Sequence, residues 1–271
     1  MPNEPDWLPP GVDVARANVA RIYDYLLGGS HNFSADQDLA RQICAVEPRV
    51  RALAHGNRAF LRRAVRALSG AGISQFLDIG SGIPTQGNVH EVAQAANPAA
   101  RVVYVDTDPV VVAHSRAILG DSPATAAIAG DLRDPAAILA DDTLRGVLDL
   151  SQPVGLLLIA VLHFISDADQ PGEVVAALRD GLAPGSCLVI SHATSEGQPA
   201  VAKAIQTVYN RSSAMSGYAR SRAEILRLFD GFALLDPGLV RAPQWRPELA
   251  AEPPGDADEL WHVLCGAGRR P

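Results

Sequence analysis

In the run Phe76-Leu77-Asp78-Ile79-Gly80-Ser81-Gly82, a carboxylate and two residues without a Cβ stand at the end of a short apolar stretch. A strand that ends in Gly-x-Gly can turn tightly and lets a ligand lie directly against the backbone. Asp106 strengthens this signal: it ends the run Val103-Tyr104-Val105-Asp106, just before Thr107, and follows Gly82 by 24 residues. That offset is close to the ~20 residues at which a ribose-binding acid is expected, and a carboxylate there can accept from both ribose hydroxyls. A third acid, Asp131, lies between Gly130 and Leu132 at the end of the next run. Acids and small residues at successive strand ends make one polar crevice at one edge of a sheet, where open α/β folds bind ligands.

Two cofactor classes compete for such a crevice. A dinucleotide calls for Gly or Ala at the third position of G-x-G-x-x-G, where this chain has Thr85. It also carries an anionic pyrophosphate, which Asp78, Asp106 and Asp131 would repel. S-adenosylmethionine carries a sulfonium and an ammonium and no phosphate, so acids beside the glycine loop favour it on electrostatic grounds.

The elements that hold these residues follow from hydrophobic periodicity. Short apolar runs at 75–79, 102–106, 124–129, 154–161 and 186–191 alternate with helical stretches, the pattern of βαβ units in a parallel sheet. Two more strands are expected at 232–235 and 259–265, close enough in sequence to pair antiparallel, for seven in all. The first 70 residues read as a helical cover: one helix from a cap at Asp13 through Leu27, a second opened by Ser34 with Gln37, and a third over 57–68. The expected division is 1–70 as cover or lid and 71–271 as the sheet domain, working as one unit. Asp108 is expected to cap the helix that Pro109 begins, and Asp134 the one at Pro135.

Composition excludes other classes. With 48% hydrophobic and 20% charged residues the chain can bury a large core, which rules out a disordered protein. A net charge of −7 argues against a surface that binds nucleic acid by neutralising phosphates. The longest apolar run, 154–162, is far short of the ~20 residues of a membrane span. Cys44, Cys187 and Cys265 form no CxxC pair, and the N-terminus shows no export signal, so a cytoplasmic protein is expected. His90-Glu91 opens no HExxH, so no metal centre is expected.

The motifs Asp78-x-Gly80-x-Gly82, Asp106 and Gly130-Asp131 resemble the first three motifs of class I S-adenosylmethionine-dependent methyltransferases. Over nearly the whole chain, the closer resemblance is to a bacterial S-adenosyl methyltransferase family formerly catalogued as a domain of unknown function. Its residues are Ala20 through Gly29, Asn57 through Arg63, Asp78 through Val89, Val103 through Pro109, and Ser221-Arg222 to Phe229-Asp230-Gly231. The resemblance implies a Rossmann-like methyltransferase sheet with an antiparallel last strand and a helical N-terminal segment near the cofactor. It implies no particular acceptor. Pro84 departs from the general loop, which often has a third glycine there, and Ser30-His31 stands where many members have Lys-Asp.

The expected cofactor contacts are Asp78, Gly80, Ser81, Gly82, Asp106, Thr107, Gly130, Asp131 and Leu132. Asp78 could instead cap the following helix, and Asp134 could share the role of Asp131. His163, just past the fourth strand, is the one histidine placed to act as a base, with a structural role as its alternative. His192 is a weaker case, and His262 carries no pattern. Tyr23, Tyr25, Asn32 and Phe33 could close over the cofactor or shape a substrate pocket, or the tyrosines could simply pack their helix on the core. The expected activity is methyl transfer to a small-molecule acceptor. A non-catalytic cofactor-binding regulator acting through a protein partner, or an NAD-linked oxidoreductase, are the alternatives.

Overall fold

A computed structural model describes residues 12–84, 87–212, 216–250 and 262–271. Five parallel strands form the centre of one sheet: β1 (Gln75–Ile79), β2 (Arg101–Asp106), β3 (Thr125–Ala129), β4 (Gly155–Ile159) and β5 (Cys187–Ala193). Three more strands follow: β6 (Ala233–Leu234), β7 (Val240–Arg241) and β8 (Val263–Arg269). The order is β3-β2-β1-β4-β5-β8-β6, with β7 also on β8, and β8 runs antiparallel to β5, β6 and β7. The chain winds outward from β1 to β2 and β3 and then crosses to β4 on the other side. The C-terminal ends of β1 and β4 therefore flank the point where strand order reverses, the place at which such sheets open a crevice.

Strand periodicity builds the core. Leu77, Val103, Leu156 and Leu188 pack on one face of the sheet; Phe76, Val102, Leu157 and Val189, one residue out of phase, pack on the other. Both faces are buried, hence the near-continuous apolar runs. The first face is covered by α6 (Pro135–Ala140), α7 (Asp142–Val147), α8 (Pro171–Asp180) and α10 (Arg222–Arg227). The second is covered by α3 (Val50–Gly70), α4 (Val89–Ala96) and Trp245, which is buried edge-on against Phe60 with ring centroids 5.3 Å apart.

The remaining helices are α1 (Val19–Leu26), α2 (Ser34–Val46), α5 (Pro109–Leu119) and α9 (Pro199–Ser212). α1 and α2 share an apolar cluster with Ala54 of α3 and with Ile205, Val208 and Tyr209 of α9. α3 thus belongs to both the sheet's core and the helical cluster, and α9 joins a cover that sequence alone placed within the first 70 residues. Arg21 of α1 reaches Asp36 of α2 at 3.6 Å and Asp108 at 3.4 Å, all three side chains being buried. Asp108 caps α5 by accepting from Val110 N at 2.8 Å, so α1 is tied electrostatically to the rim of the crevice.

Some boundaries differ from expectation, each for a local reason. α1 starts after Asn18, whose side chain accepts from Ala20 N; Asp13 instead accepts from Ala15 N in a turn. The start of α2 is fixed by Asp36, which accepts from Phe33 N at 2.8 Å, and not by Ser34 with Gln37. α3 starts at Val50, ahead of the expected 57, and runs through Gly56. α7 was not expected. The last strand lies at Val263–Arg269, not 259–265, and β7 makes the sheet eight-stranded. Thr85, Trp261 and residues 259–261 lie outside the described residues.

Candidate active site

Eleven of the residues expected at the site line one cavity of about 700 Å³: Tyr23, Asp78, Gly80, Ser81, Gly82, Asp106, Thr107, Gly130, Asp131, Leu132 and His163. Its floor is the C-terminal edge of the sheet, and its walls come from α1, α3 and α9. That volume is in the range of small-molecule sites.

The glycine loop is set by hydrogen bonds and close packing. Gly80 N and Ser81 N both donate to Val105 O, at 2.8 and 3.2 Å, which folds the loop over the end of β2. Gly80 has φ +71°, and a Cβ there would lie 2.3 Å from Val161 Cγ2. Gly82 has φ +64°, and a Cβ there would meet no atom within 4 Å, so its absence leaves open cavity space. Gly80→Ala is expected to cost about 2 kcal/mol or more from the backbone conformation and the clash together. Urea unfolding checks this, and an unchanged midpoint would mean that Val161 simply moves aside.

Asp106, 8% exposed, accepts from Gly82 N at 2.9 Å and Asp108 N at 3.0 Å. Burial pushes its carboxyl up to about 6, against the lowering by these N–H donors. Asp78 is 3% exposed and makes no hydrogen bond among the described residues. Burial first, and Asp106 to a smaller degree, push it up to about 7, while the Arg58 guanidinium draws it down. It does not cap a helix: Asn88 with Glu91 opens α4. Asp131 is more exposed and holds Arg133 through both oxygens, each 3.0 Å from Nε, which lowers its pKa. Asp134 caps α6 by accepting from Ala137 N and is not among the residues that line the cavity.

His163 lies within the cavity wall, with Phe164 at 4.4 Å and His192 at 5.5 Å between ring centroids. Ala193 N donates to its Nδ1 at 3.4 Å, an arrangement that assigns the ring proton to Nε2. Burial, then the neighbouring His192 and Arg220, hold its pKa well below the usual histidine value. The ring is therefore a neutral hydrogen-bond donor, and a weak base. Burial likewise raises the pKa of Tyr23 and Tyr209, so neither is a phenolate at neutral pH.

Three expected substrate residues are absent from the cavity wall. Tyr25 faces Arg51, whose guanidinium carbon lies 4.7 Å from its ring centroid. Asn32 Nδ2 donates to Asp24 Oδ2 at 2.8 Å, fixing the loop after α1. Phe33 lies under Arg21 at 5.3 Å and starts α2. Each is engaged in local packing around α1, Tyr25 with α3 and Asn32 and Phe33 with the turn into α2. Of that group only Tyr23 reaches the cavity, its hydroxyl donating to Ala54 O at 3.0 Å and accepting from Asn57 Nδ2 at 3.0 Å.

The sequence reading missed several wall residues. Arg58 stands in a motif block but was given no role, and Tyr209, Tyr218 and Phe164 had no local pattern. His262 also lines the cavity, its Nε2 3.0 Å from Glu47 Oε2, across 215 positions. The Arg49 guanidinium holds the Glu47 carboxyl down to about 2.

Comparison with known proteins places this geometry. A family model described as S-adenosyl methyltransferase matches residues 5–271. The chain is 43% identical to a candidate methyltransferase from Thermobifida fusca YX of known structure, covering 98% of this chain and 99% of that one with a TM-score of 0.90. It is 38% identical to a DUF574 family protein from Streptomyces avermitilis MA-4680, covering 96% and 99%, again with a TM-score of 0.90. Human N-acetylserotonin methyltransferase, solved with S-adenosylmethionine, shares the fold at 13% identity over 94% of this chain and 63% of that one, with a TM-score of 0.51. No curated protein matches. A sheet-edge cavity with a glycine loop and strand-end acids, together with a family match over nearly every residue, leaves one assignment: the chain belongs to the S-adenosyl methyltransferase family and is an S-adenosylmethionine-dependent methyltransferase.

Proposed function

We propose that S-adenosylmethionine lies along the ends of β1, β2 and β3, and that a small, largely apolar methyl acceptor sits beside it beneath α1, α3 and α9. The observation that carries this reading is the convergence of the glycine loop and three strand-end acids on one cavity. The donor set fits the cofactor: space is left where Gly82 lacks a Cβ, and Asp78 is a buried carboxylate without a hydrogen-bond partner among the described residues, suited to a cationic group. When bound, S-adenosylmethionine supplies an electrophilic sulfonium methyl.

The remaining work belongs to this chain's own residues. Asp106 keeps lone pairs for ribose hydroxyls beyond the two backbone donors it already satisfies. Gly80, Ser81, Gly82 and Thr107 offer backbone at the same rim, and Gly130, Asp131 and Leu132 border the place for the base. His163, neutral, orients the acceptor through its Nε2–H and does not take a proton. An acceptor that arrives with its lone pair available needs no base, so orientation and exclusion of water suffice.

The acceptor class rests on where charge lies in the cavity wall. Charged side chains there are Arg58, Asp78, Asp106, Asp131, Arg133 and Asp169, whereas Leu26, Ala202, Ile205, Tyr209 and Val263 make an apolar wall. A charged acceptor buried against that wall would be desolvated without compensation. With a net charge of −7, a nucleic-acid acceptor has no support. Residues 1–70 and 71–271 act as one unit on this reading, since α3 packs in the sheet's core and α9 in the helical cluster. The three free cysteines suit a reducing cytoplasm, and among the described residues no helix is long and apolar enough to cross a membrane.

The test is Asp106→Ala. Loss of one or two hydrogen bonds to the ribose should weaken S-adenosylmethionine binding about tenfold or more in calorimetry. Unchanged affinity in a folded variant would overturn the placement.

A further inference from the structure

Aromatic side chains are scarce in this chain, at 5% of residues, yet Phe164 and three of the five tyrosines, Tyr23, Tyr209 and Tyr218, border the cavity. Phe164 and Tyr209 meet edge to face, with ring centroids 5.6 Å apart, and Phe164 continues to the His163 ring. The backbone of Tyr218 is tied to the same turn, its N–H donating to His163 O at 2.7 Å. Rings so arranged attract a further planar ring through their faces and edges. Beside Tyr23 stands Asn57 of α3, also in the cavity wall and 3% exposed. The Tyr23 hydroxyl has one hydrogen, which goes to Ala54 O, so toward Asn57 Nδ2 it can only accept. That fixes the orientation of the amide and turns Oδ1 away from the tyrosine. Oδ1 is buried and has no hydrogen-bond partner among the described residues. A buried carbonyl left in that state costs free energy, and a bound N–H or O–H would complete it. Arg58, the next residue, makes no ion pair among the described residues and acts on Asp78 instead.

These features select among nucleophiles. An alkylamine is protonated at neutral pH and has no lone pair to offer. A hydroxyl must lose its proton as the methyl arrives, and the groups along this run are poor bases: an amide, two tyrosines whose pKa burial raises, and His163, whose pKa burial holds well below the ordinary value. An amine on an aromatic ring is uncharged at neutral pH, keeps both a lone pair and an N–H, and is flat. We propose that the methyl acceptor is an arylamine, its ring among Phe164, Tyr209 and Tyr218 and its N–H donated to Asn57 Oδ1. This rests on the placement of cofactor and acceptor proposed above and names the acceptor's class. In the transfer the nitrogen lone pair forms the N–CH3 bond as the S–CH3 bond breaks, and the pair from the broken bond stays on sulfur as a neutral thioether. The positive charge passes to nitrogen, so the hydrogen bond to the Asn57 carbonyl strengthens as that charge develops. One proton then leaves the ammonium for water.

The experiment uses the smallest members of three classes, so that the outline of a larger substrate does not decide: aniline, phenol and cyclohexylamine. Each is incubated at neutral pH with the full chain and methyl-labelled S-adenosylmethionine. Label should pass to aniline at least about tenfold faster than to phenol or cyclohexylamine. Asn57→Leu should lower transfer to aniline about tenfold, while its affinity for S-adenosylmethionine, read by calorimetry, stays within about twofold of wild type. Asn57→Asp, which keeps an acceptor at that position, should retain more of the transfer than Asn57→Leu. Label passing to phenol or cyclohexylamine as fast as to aniline overturns the proposal, as does no transfer to aniline or an unchanged rate in Asn57→Leu. If Asn57→Leu does not fold, the wild-type preference and Asn57→Asp decide. Wild-type protein that does not bind S-adenosylmethionine overturns the cofactor placement itself, whereas binding without a preference for aniline overturns the arylamine assignment alone.

Discussion

Asp78→Asn is expected to raise the stability of the ligand-free protein while weakening S-adenosylmethionine binding at least about tenfold, two effects of opposite sign from one atom change. Asp78 is buried, without a hydrogen bond among the described residues, and its carboxyl is pushed from 3.8 to about 7. The folded state therefore holds that proton more tightly than the unfolded chain does. Below the ordinary carboxylate range the side chain is neutral in both states and costs nothing. As pH rises through the interval from 3.8 to about 7 the folded state must give up or pay for the charge, and above it the full destabilisation is present, on the order of a few kcal/mol. Asparagine keeps the shape and removes the charge. The stability gain should thus be largest at pH 8 and vanish near pH 4, which thermal unfolding across pH can measure.

Binding supplies the complementary result. The groups facing Asp78 are Arg58 from α3 and Asp106 and Tyr104 from β2, and of these only Arg58 favours its charge. A ligand ammonium would add a second favourable cation, so wild-type affinity should increase as pH rises through about 7 and then level off. The asparagine variant should lose that dependence. Equal stability of the two proteins at every pH, or a destabilised variant with wild-type affinity, would show that Asp78 is a structural acid.

How far the sequence disclosed this site depended on the range of the interaction. Asp78, Asp106 and Asp131 were legible because a strand-end acid is a local pattern, set by period-two alternation and the glycines that follow. The alternation of Phe76 and Leu77, or Val102 and Val103, between the two cores is equally local. The last strand lies further along the chain than expected and runs through Gly266 and Gly268. A Cβ at Gly268 would lie 2.9 Å from Phe232 Cβ, where the chain enters β6, so a strand at that position needs glycine. Arg58 could be seen only as a motif residue, since its lack of an acid depends on what α3 meets in space. The Glu47–His262 contact and the cavity wall from α9 join segments far apart in sequence, which periodicity cannot reach. Asn32 and Phe33 do not line the cavity because the loop after α1 turns back on Asp24 and Asp36.

Arg220→Met is expected to be the most destabilising of these substitutions, by about 3–5 kcal/mol, and to loosen the loop that carries His163. Arg220 is 6% exposed. Its Nη1 donates to Leu162 O at 2.9 Å and to His192 Nε2 at 3.0 Å; its Nη2 donates to Ile165 O at 2.8 Å and Asp167 Oδ1 at 2.7 Å. One side chain thus ties the turn after β4 to the end of β5. Asp167 is 84% exposed at its side chain, so its ion pair adds little, and Asp167→Ala should cost less than about 1 kcal/mol. The carbonyls lose a buried donor in Arg220→Met, and that loss dominates. Arg220→Lys should recover only part, since an ammonium cannot reach carbonyls on both sides of a planar fork. His192 makes the tie sensitive to acid. Its Nδ1–H donates to Ala193 O at 2.7 Å, and burial holds its pKa down to about 4. The stability of the neutral ring is complete above 6.5 and is lost as pH falls toward about 4, where a protonated His192 can no longer accept from Arg220. Urea unfolding and hydrogen exchange over residues 162–167 measure both effects. If Arg220→Met and Asp167→Ala are equally mild and exchange in the loop is unchanged, the turn that places His163 is held by packing alone, and the guanidinium is incidental to the site.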